Sequence, residues 1–239
     1  MSYAEISNQV QALVIDLPTA TVSEIPGQIQ QAQKELEDAH GFIAMEKVYQ
    51  FATIPDTRGP YALPDRYLRA RTDARPVLVD GIGATVQLDW LMEYSDQTVL
   101  YSDDPIEVGR PRVLVENIDN FEVFPLPDQL SPSGTIASDG NWIIRVPYFQ
   151  REEPLGLSGA TVTDNWFSDN AAQYLAYAAA ARLMAFNRDW EEASLNAALA
   201  LDLKNQAIKN DKKRRLSRKR LMRPQRGARG SAYQFRGLR

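Results

Sequence analysis

The chain has no cysteine and a single histidine, His40, among its 239 residues. The first absence removes disulfides, thiolate nucleophiles and the usual cysteine-based zinc sites. The second leaves one imidazole for acid–base work. A Ser-His-Asp triad would need His40 as its base, and no nucleophile-elbow pattern accompanies it. Beside Gly41 at a helix end, His40 is read as a solvent-facing or C-terminal capping residue. Long apolar runs are also lacking: the longest, residues 175–186, is alanine-heavy, interrupted by Arg182 and too short to span a bilayer. The opening Met1-Ser2-Tyr3-Ala4-Glu5 has neither the basic segment nor the apolar core of a secretory signal, so an intracellular product with no membrane partner is expected.

Phosphate and metal patterns are equally thin. Gly81-Ile82-Gly83-Ala84 lacks the third glycine and the crossover helix of a dinucleotide site, and reads as a turn. Asp103-Asp104 fits no calcium loop and reads as a solvated acidic loop. Glu152-Glu153 and Glu191-Glu192 come with no pocket that would make either an acid–base pair. The expectation is no catalytic residue, no metal and no cofactor.

What the chain does have is a sorted charge. Residues 204–239 hold 14 Lys/Arg and one acid, Asp211, about +13; residues 1–203 hold 13 bases and 30 acids, about −17. The formal −4 of the whole hides an acidic body with a basic tail, a cue to partners. The tail carries Lys212, Lys213, Arg214, Arg215, Arg218, Lys219, Arg220, Arg226, Arg229 and Arg236, with Tyr233 and Phe235 spaced by glycines near its end. Such a segment binds phosphates without sequence choice and can stack bases on its aromatics. It equally suits docking into a groove of an acidic protein, and composition alone does not choose.

Along the chain, Ile6, Val10, Leu13 and Val14 predict a short helix over residues 3–15, ended by Leu17-Pro18. Ser23 as N-cap with Pro26 in the first turn predicts a second helix to about Ala39, its apolar face Ile25, Ile29, Ala32 and Leu36 and its other face glutamine and charge. The pattern then turns extended. Short strands are predicted over residues 45–53, 67–70, 76–80, 112–116, 121–124 and 142–149, with a hairpin turn at residues 117–120 and a glycine-containing loop over 131–140. A small surface helix is predicted over residues 88–94, and Pro147 marks the last strand as an edge or a bulge. A helix from about Trp166 to Asn187 follows. Asp189 then caps another that carries Leu195, Leu199, Leu203 and Ile208 and runs to about Ser217. Twelve alanines between Ala171 and Ala200 let this helix pair approach closely. Pro224, Gly227, Gly230 and Gly237 predict an extended or disordered end.

The expected fold is α+β: a helical bundle from residues 1–41 and 164–211, an inserted small all-β domain over 42–163, and an extended basic C-terminal arm over 212–239. Helix packing or a subunit interface is assigned to Trp166, Phe167, Tyr174, Leu175, Ala178, Leu183, Phe186 and Trp190.

From residue 141 onward the sequence resembles the head-to-tail adaptor (connector) proteins of tailed bacteriophages. The resemblance rests on Asn141-Trp142-Ile143-Ile144-Arg145-Val146-Pro147-Tyr148-Phe149, on Pro154-Leu155-Gly156-Leu157-Ser158, and on Thr163-Asp164-Asn165-Trp166-Phe167 opening an alanine-rich helix. Upstream, Ile25-Pro26-Gly27, Leu63-Pro64-Asp65-Arg66-Tyr67-Leu68-Arg69 and Gly109-Arg110-Pro111 fall in the same order. It covers residues 3 to about 210. Asp164 is an insertion relative to the family pattern, and the arm from Lys212 is longer and more basic than that pattern.

The resemblance implies no catalysis. It implies a virion protein of the head–tail junction, in the host cytoplasm during assembly, forming a ring of twelve copies beneath the portal. That ring would extend the channel for genomic DNA and dock a tail or nozzle protein, with the arm gripping the portal. A flat alanine-rich helix pair suits side-by-side packing in a ring, and an acidic body suits a conduit that repels phosphates. The competing expectations are a nucleic-acid-binding accessory protein using the basic arm, and an enzyme with an unrecognised carboxylate site.

Overall fold

The computed structural model describes residues 1–14, 22–79, 85–91, 108–128, 142–158 and 161–222. The expected helix end at Leu17-Pro18, the Gly81–Gly83 turn, the Asp103-Asp104 loop, the loop over 131–140 and the arm beyond 222 lie outside them. The protein is mixed α+β and divides into two compact units, one made of Met1–Ile43 with Glu153–Arg239, the other of Ala44–Glu152.

In the first unit, α1 (Tyr3–Leu13) opens with a reciprocal cap. The Ser2 hydroxyl accepts from the Glu5 N–H at 3.3 Å, and the Glu5 carboxylate accepts from the Ser2 N–H at 2.7 Å. Ile6 and Val10, four apart, are fully buried. Helix α2 (Ile25–Ala39) buries Ile25, Ile29, Ala32 and Leu36, the face its spacing predicts. Two details differ from expectation. Its N-cap is Glu24 rather than Ser23, with no side-chain capping bond. Its glutamine-and-charge face is not all solvated, because Gln33 and Glu37 are only 3% and 2% exposed.

The stretch expected as one helix from Trp166 is two, α3 (Trp166–Asn170) and α4 (Ala172–Phe186), separated at Ala171, whose φ −137°, ψ 19° is not helical. Between its caps α4 packs against α1, α2 and α5 (Trp190–Met222). That is why its small residues are wanted: Ala176, Ala178, Ala179, Ala180 and Ala181 are all buried, and neighbours on several sides leave no room for larger groups. Asp189 caps α5, accepting from the Glu192 N–H at 3.4 Å.

The face of α5 that packs is not the leucine stripe. Ala193, Asn196, Ala200 and Asp211 are buried, whereas Leu195 and Leu199 are 55% and 41% exposed and Leu203 and Ile208 half-buried. Close approach to the alanine-rich α4 selects small side chains and turns the leucines outward. Between Glu153 and α3 the chain forms a hairpin, β12 (Gly156–Ser158) with β13 (Thr161–Thr163). Gly156 has φ +137°, and a Cβ there would lie 2.9 Å from Gln30 Nε2, the atom that donates to the Leu155 carbonyl. Gly156→Ala should therefore lower stability by roughly 1–3 kcal/mol, read as a drop in the thermal midpoint of the helical unit.

The second unit holds two sheets. One runs β1 (Glu46–Ala52), β11 (Ile143–Gln150), β4 (Val77–Val79), β5 (Thr85–Gln87), all antiparallel, with β3 (Tyr67–Ala70) also on β11. The other runs β2 (Tyr61–Ala62), β9 (Asn120–Phe124), β8 (Val113–Glu116), β6 (Asp89–Leu91), and a short parallel pair joins β7 (Val108–Gly109) to β10 (Leu126–Pro127). Leu78, Trp142, Ile144 and Val146 from the first sheet share one core with Tyr61, Leu114, Phe121 and Val123 from the second.

Two expectations fail here. The helix predicted over 88–94 is, as far as residue 91, extended chain that passes from one sheet to the other at the fully buried Leu88. The Leu88 N–H donates to Pro76 and the Asp89 N–H to Arg112. Leu88 and Trp90, two apart, reach the same core, so the working period is two rather than 3.6. Pro147 is not on an edge, since β11 is paired on both sides, and the irregularity of the strand lies two residues further on, a register shift against β3 between Phe149 and Gln150. The proline sits between the partners of its far side, β4 opposite residues 143–145 and β3 opposite 148–150, where no ladder donor is needed.

Candidate functional site

Seven of the expected arm residues, from Lys212 to Arg220, lie on the last turns of α5. Residues 212–222, placed in the extended arm although the helix was expected to reach about Ser217, are helical throughout. Arg and Lys favour helix, and bases at a helix C-terminus complement its dipole. Lys212, Lys213 and Arg214 are exposed, and Arg214 donates to Asn170 Oδ1 at 3.1 Å. Arg218, Lys219 and Arg220 continue the helix, and Arg226, Arg229, Tyr233, Phe235 and Arg236 lie outside the described residues.

Arg215 is different. Its Nε donates to Asp211 at 3.0 Å and its Nη2 donates to the Gly41 carbonyl. Asp211, the lone acid among the tail's bases, is 1% exposed. It accepts from the Ile43 N–H at 3.0 Å and from His40 Nε2 at 2.9 Å. An ionised carboxylate only accepts, so His40 carries its proton on Nε2. Burial alone would raise the Asp211 carboxyl. Bonds from His40, the Ile43 N–H and Arg215 outweigh it and hold the group below the ordinary carboxylate range. His40 therefore faces a buried carboxylate rather than solvent, while its backbone caps α2 by donating to the Leu36 carbonyl. Next along, the fully buried Phe42 meets His40, Trp166 and Phe167 at ring distances of 4.8, 5.1 and 5.3 Å.

A second polar knot holds the returning chain. Gln33 Oε1 accepts from the Leu155 N–H at 3.0 Å and from Asn165 Nδ2 at 3.2 Å, and Gln33 Nε2 donates to the Glu153 carbonyl at 3.2 Å and to Glu37 at 2.9 Å. Asn165 also caps α3, accepting from the Phe167 and Ser168 N–H groups. Asp164 accepts from the Tyr3 N–H at 2.6 Å and so ties α1 to the start of α3. The Thr-Asp-Asn-Trp-Phe stretch is thus a fastening of the helical unit. Gln33, Asp164, Asn165 and Asp211 were absent from the expected set; Asp164 and Asn165 lay in the stretch that carries the resemblance, Asp211 stood out by its isolation among bases, and Gln33 left no signal.

Of the residues assigned to helix packing or a subunit interface, Phe167, Tyr174, Leu175, Ala178 and Leu183 are buried within the unit and Trp166 is half-buried. Phe186 and Trp190, flanking the α4–α5 turn, are 81% and 67% exposed, and Leu201 is 58% exposed. Asn170, Gln173, Gln206 and Asn210, with Tyr174 and Leu203, border a cleft of about 320 Å³ beside α5. Carboxamides dominate its polar wall, and its one carboxylate, Asp169, lies 3.6 Å from the N-terminal amine. Among the described residues no group of three His, Asp or Glu could hold a metal, and no helix is long and apolar enough to cross a membrane.

The model of one protein family, described as SU10 adaptor protein, matches residues 1–228. No curated protein matches the chain.

Proposed function

The chain belongs to the SU10 adaptor protein family, the phage adaptor proteins, and on that premise we propose that it is a structural head-to-tail adaptor of the virion without catalytic activity. Copies form a ring below the portal, twelve in the simplest case, which lengthens the DNA channel and offers the tail its docking surface. In this arrangement the helices form the bundle, the segment 42–163, with the compact unit Ala44–Glu152 inside it, is an insertion, and the basic end of α5 with the residues after it grips the portal.

The observation that carries the proposal is the apolar load of α5 on two sides. Trp190 and Leu201, eleven residues apart and so about three turns, are exposed on one flank, and Leu195 and Leu199 on the other. Large apolar groups repeated along a helix flank suit burial against a neighbouring copy. Two flanks suit a heterologous ring, in which every copy has a neighbour on each side.

A deletion tests the arm. Ending the chain after Met222 spares Asp211 and Arg215, so the melting temperature should stay within about 2 °C of the full chain. Association with purified portal, followed by pull-down, should be lost. Retained portal association, with loss instead of salt-dependent duplex DNA binding, would favour the nucleic-acid-binding alternative.

A further inference from the structure

The larger sheet of the β unit ends in two strands, β1 and β5, which among the described residues are paired on one side only. Edge strands that stay free are usually very short, charged, bulged or interrupted by proline. β1 is seven residues long, has neither proline nor bulge, carries charge only at its start, on Glu46 and Lys47, and leaves Val48 65% exposed.

The hydrogen-bond phase of both edges can be read. The Thr53 N–H donates to the Trp142 carbonyl at 2.8 Å, one step beyond the pair Ala52↔Ile143. Bonded pairs alternate along an antiparallel ladder. Residues 49, 51 and 53 therefore bond to β11, and the backbone groups of Val48, Gln50 and Ala52 point away from it. At the other end the Leu88 N–H donates to the Pro76 carbonyl at 2.8 Å. Val86 accordingly bonds to Leu78, and Thr85 and Gln87 point away from β4. Side chains tell the same story. Phe51, Ile144, Leu78 and Val86 stand opposite one another in a row on the core-facing side. The middle two are fully buried, whereas Phe51 at one end is half-buried and Val86 at the other is 39% exposed.

We propose that β1 of one copy pairs antiparallel with β5 of a second copy, joining their sheets edge to edge around the ring; this rests on the ring reading above. The geometry selects the same chain as occupant. Strand direction alternates over β1, β11, β4 and β5, so β5 runs opposite to β1, and a copy related by rotation presents its own β1 antiparallel to β5. The phase also carries over. Bonded pairs lie on the core-facing side between β1 and β11, on the outer side between β11 and β4, and on the core-facing side between β4 and β5. The next ladder must use outer-side residues, and those are Thr85 and Gln87 on one edge and Val48, Gln50 and Ala52 on the other. Val86 then meets Tyr49 or Phe51 of the neighbour and the row is completed. Contact of one edge with a different edge is heterologous, the kind that closes into a ring, and main-chain pairing at sheet edges is an established recognition mode.

Gln50→Pro is the first test. The Gln50 N–H faces outward, so proline removes no bond to β11 and is tolerated there in the separate copy. In a sedimentation-velocity concentration series, self-association should weaken at least about tenfold while the melting temperature is kept. For a second test, cysteines are introduced as Gln50→Cys with Thr85→Cys, and as Gln50→Cys with Gln87→Cys, one pair for each allowed register. The chain has no other cysteine. Within one copy the two positions are three strand spacings apart, about 14 Å, beyond disulfide reach. Mild oxidation of the assembled protein should give a ladder of covalent multimers with one of the two pairs. If Gln50→Pro assembles like the unaltered chain, or neither pair cross-links in assembled protein, edge pairing is overturned and the ring stands. An unaltered chain that stays monomeric across the whole series overturns both.

Discussion

Asp211→Ala should destabilise the helical unit by roughly 3 kcal/mol, on the order of 10 °C in thermal midpoint. The alanine strands three donors that converge on one carboxylate: His40 Nε2, the Ile43 N–H and the Arg215 guanidinium. Arg215 loses its carboxylate partner while still donating to the Gly41 carbonyl, and its charge is left in a poorly solvated place. The pH dependence has a fixed sign. Because the folded state holds the Asp211 carboxyl below its ordinary value of 3.8, the unfolded chain binds a proton there more readily. The stabilisation is complete above about pH 4 and disappears as pH falls through the lower, folded value. Circular-dichroism melts between pH 3 and 7 should show the unaltered chain losing stability at the acid end faster than Asp211→Ala. Parallel curves would refute the role given to this carboxylate.

Phe121→Ala should cost the β unit roughly 3–5 kcal/mol. Phe121 is fully buried in the core shared by the two sheets, stacked with Phe51 at 6.1 Å and edge-on to Tyr67 at 5.7 Å. Tyr67 in turn donates to Glu116 at 2.6 Å, and burial together with that carboxylate pushes its phenol well above the usual range. Removing the ring opens a cavity between sheets that contribute few residues each, and Leu114 and Val123 cannot collapse into it without breaking register. In urea, the β unit should unfold at lower concentration than in the unaltered chain, seen by near-ultraviolet circular dichroism, while the helical signal at 222 nm survives to higher urea. One coincident transition for both signals would show that the units do not unfold separately.

Local pattern made much of the architecture legible. Ile6 with Val10, and Ile25 through Leu36, announce buried helix faces because four-residue spacing is set within the segment itself. The hairpin of β8 and β9 is announced by its turn. What could not be read depends on residues far away in the chain. Gln33 and Glu37 look like a solvated face until Glu153, Leu155 and Asn165 return to meet them. Asp211 looks like one stray acid until residues 40–43 arrive beside it. Leu195 and Leu199 suggest the packing stripe of α5, yet the neighbour is an alanine-rich helix that admits only small residues. Leu88 to Leu91 fits a helical period, and only a second sheet across the core makes the two-residue period the operative one. Pro147 argues against a central strand unless its far-side partners are known to leave a gap opposite it. Charge sorting pointed to the end of α5, but not to Arg215 being committed inside the fold while Lys212, Lys213 and Arg214 face outward.

The chain leaves the helical unit just after the Asp211 knot and re-enters it at the Gln33 knot, and the side chains of both belong to the helical unit itself. The helical unit is consequently a frame that fixes its own edges at Ile43 and Glu153, with groups that do not depend on the residues between them. Grafting an unrelated sheet between Ile43 and Glu153 should leave the frame standing.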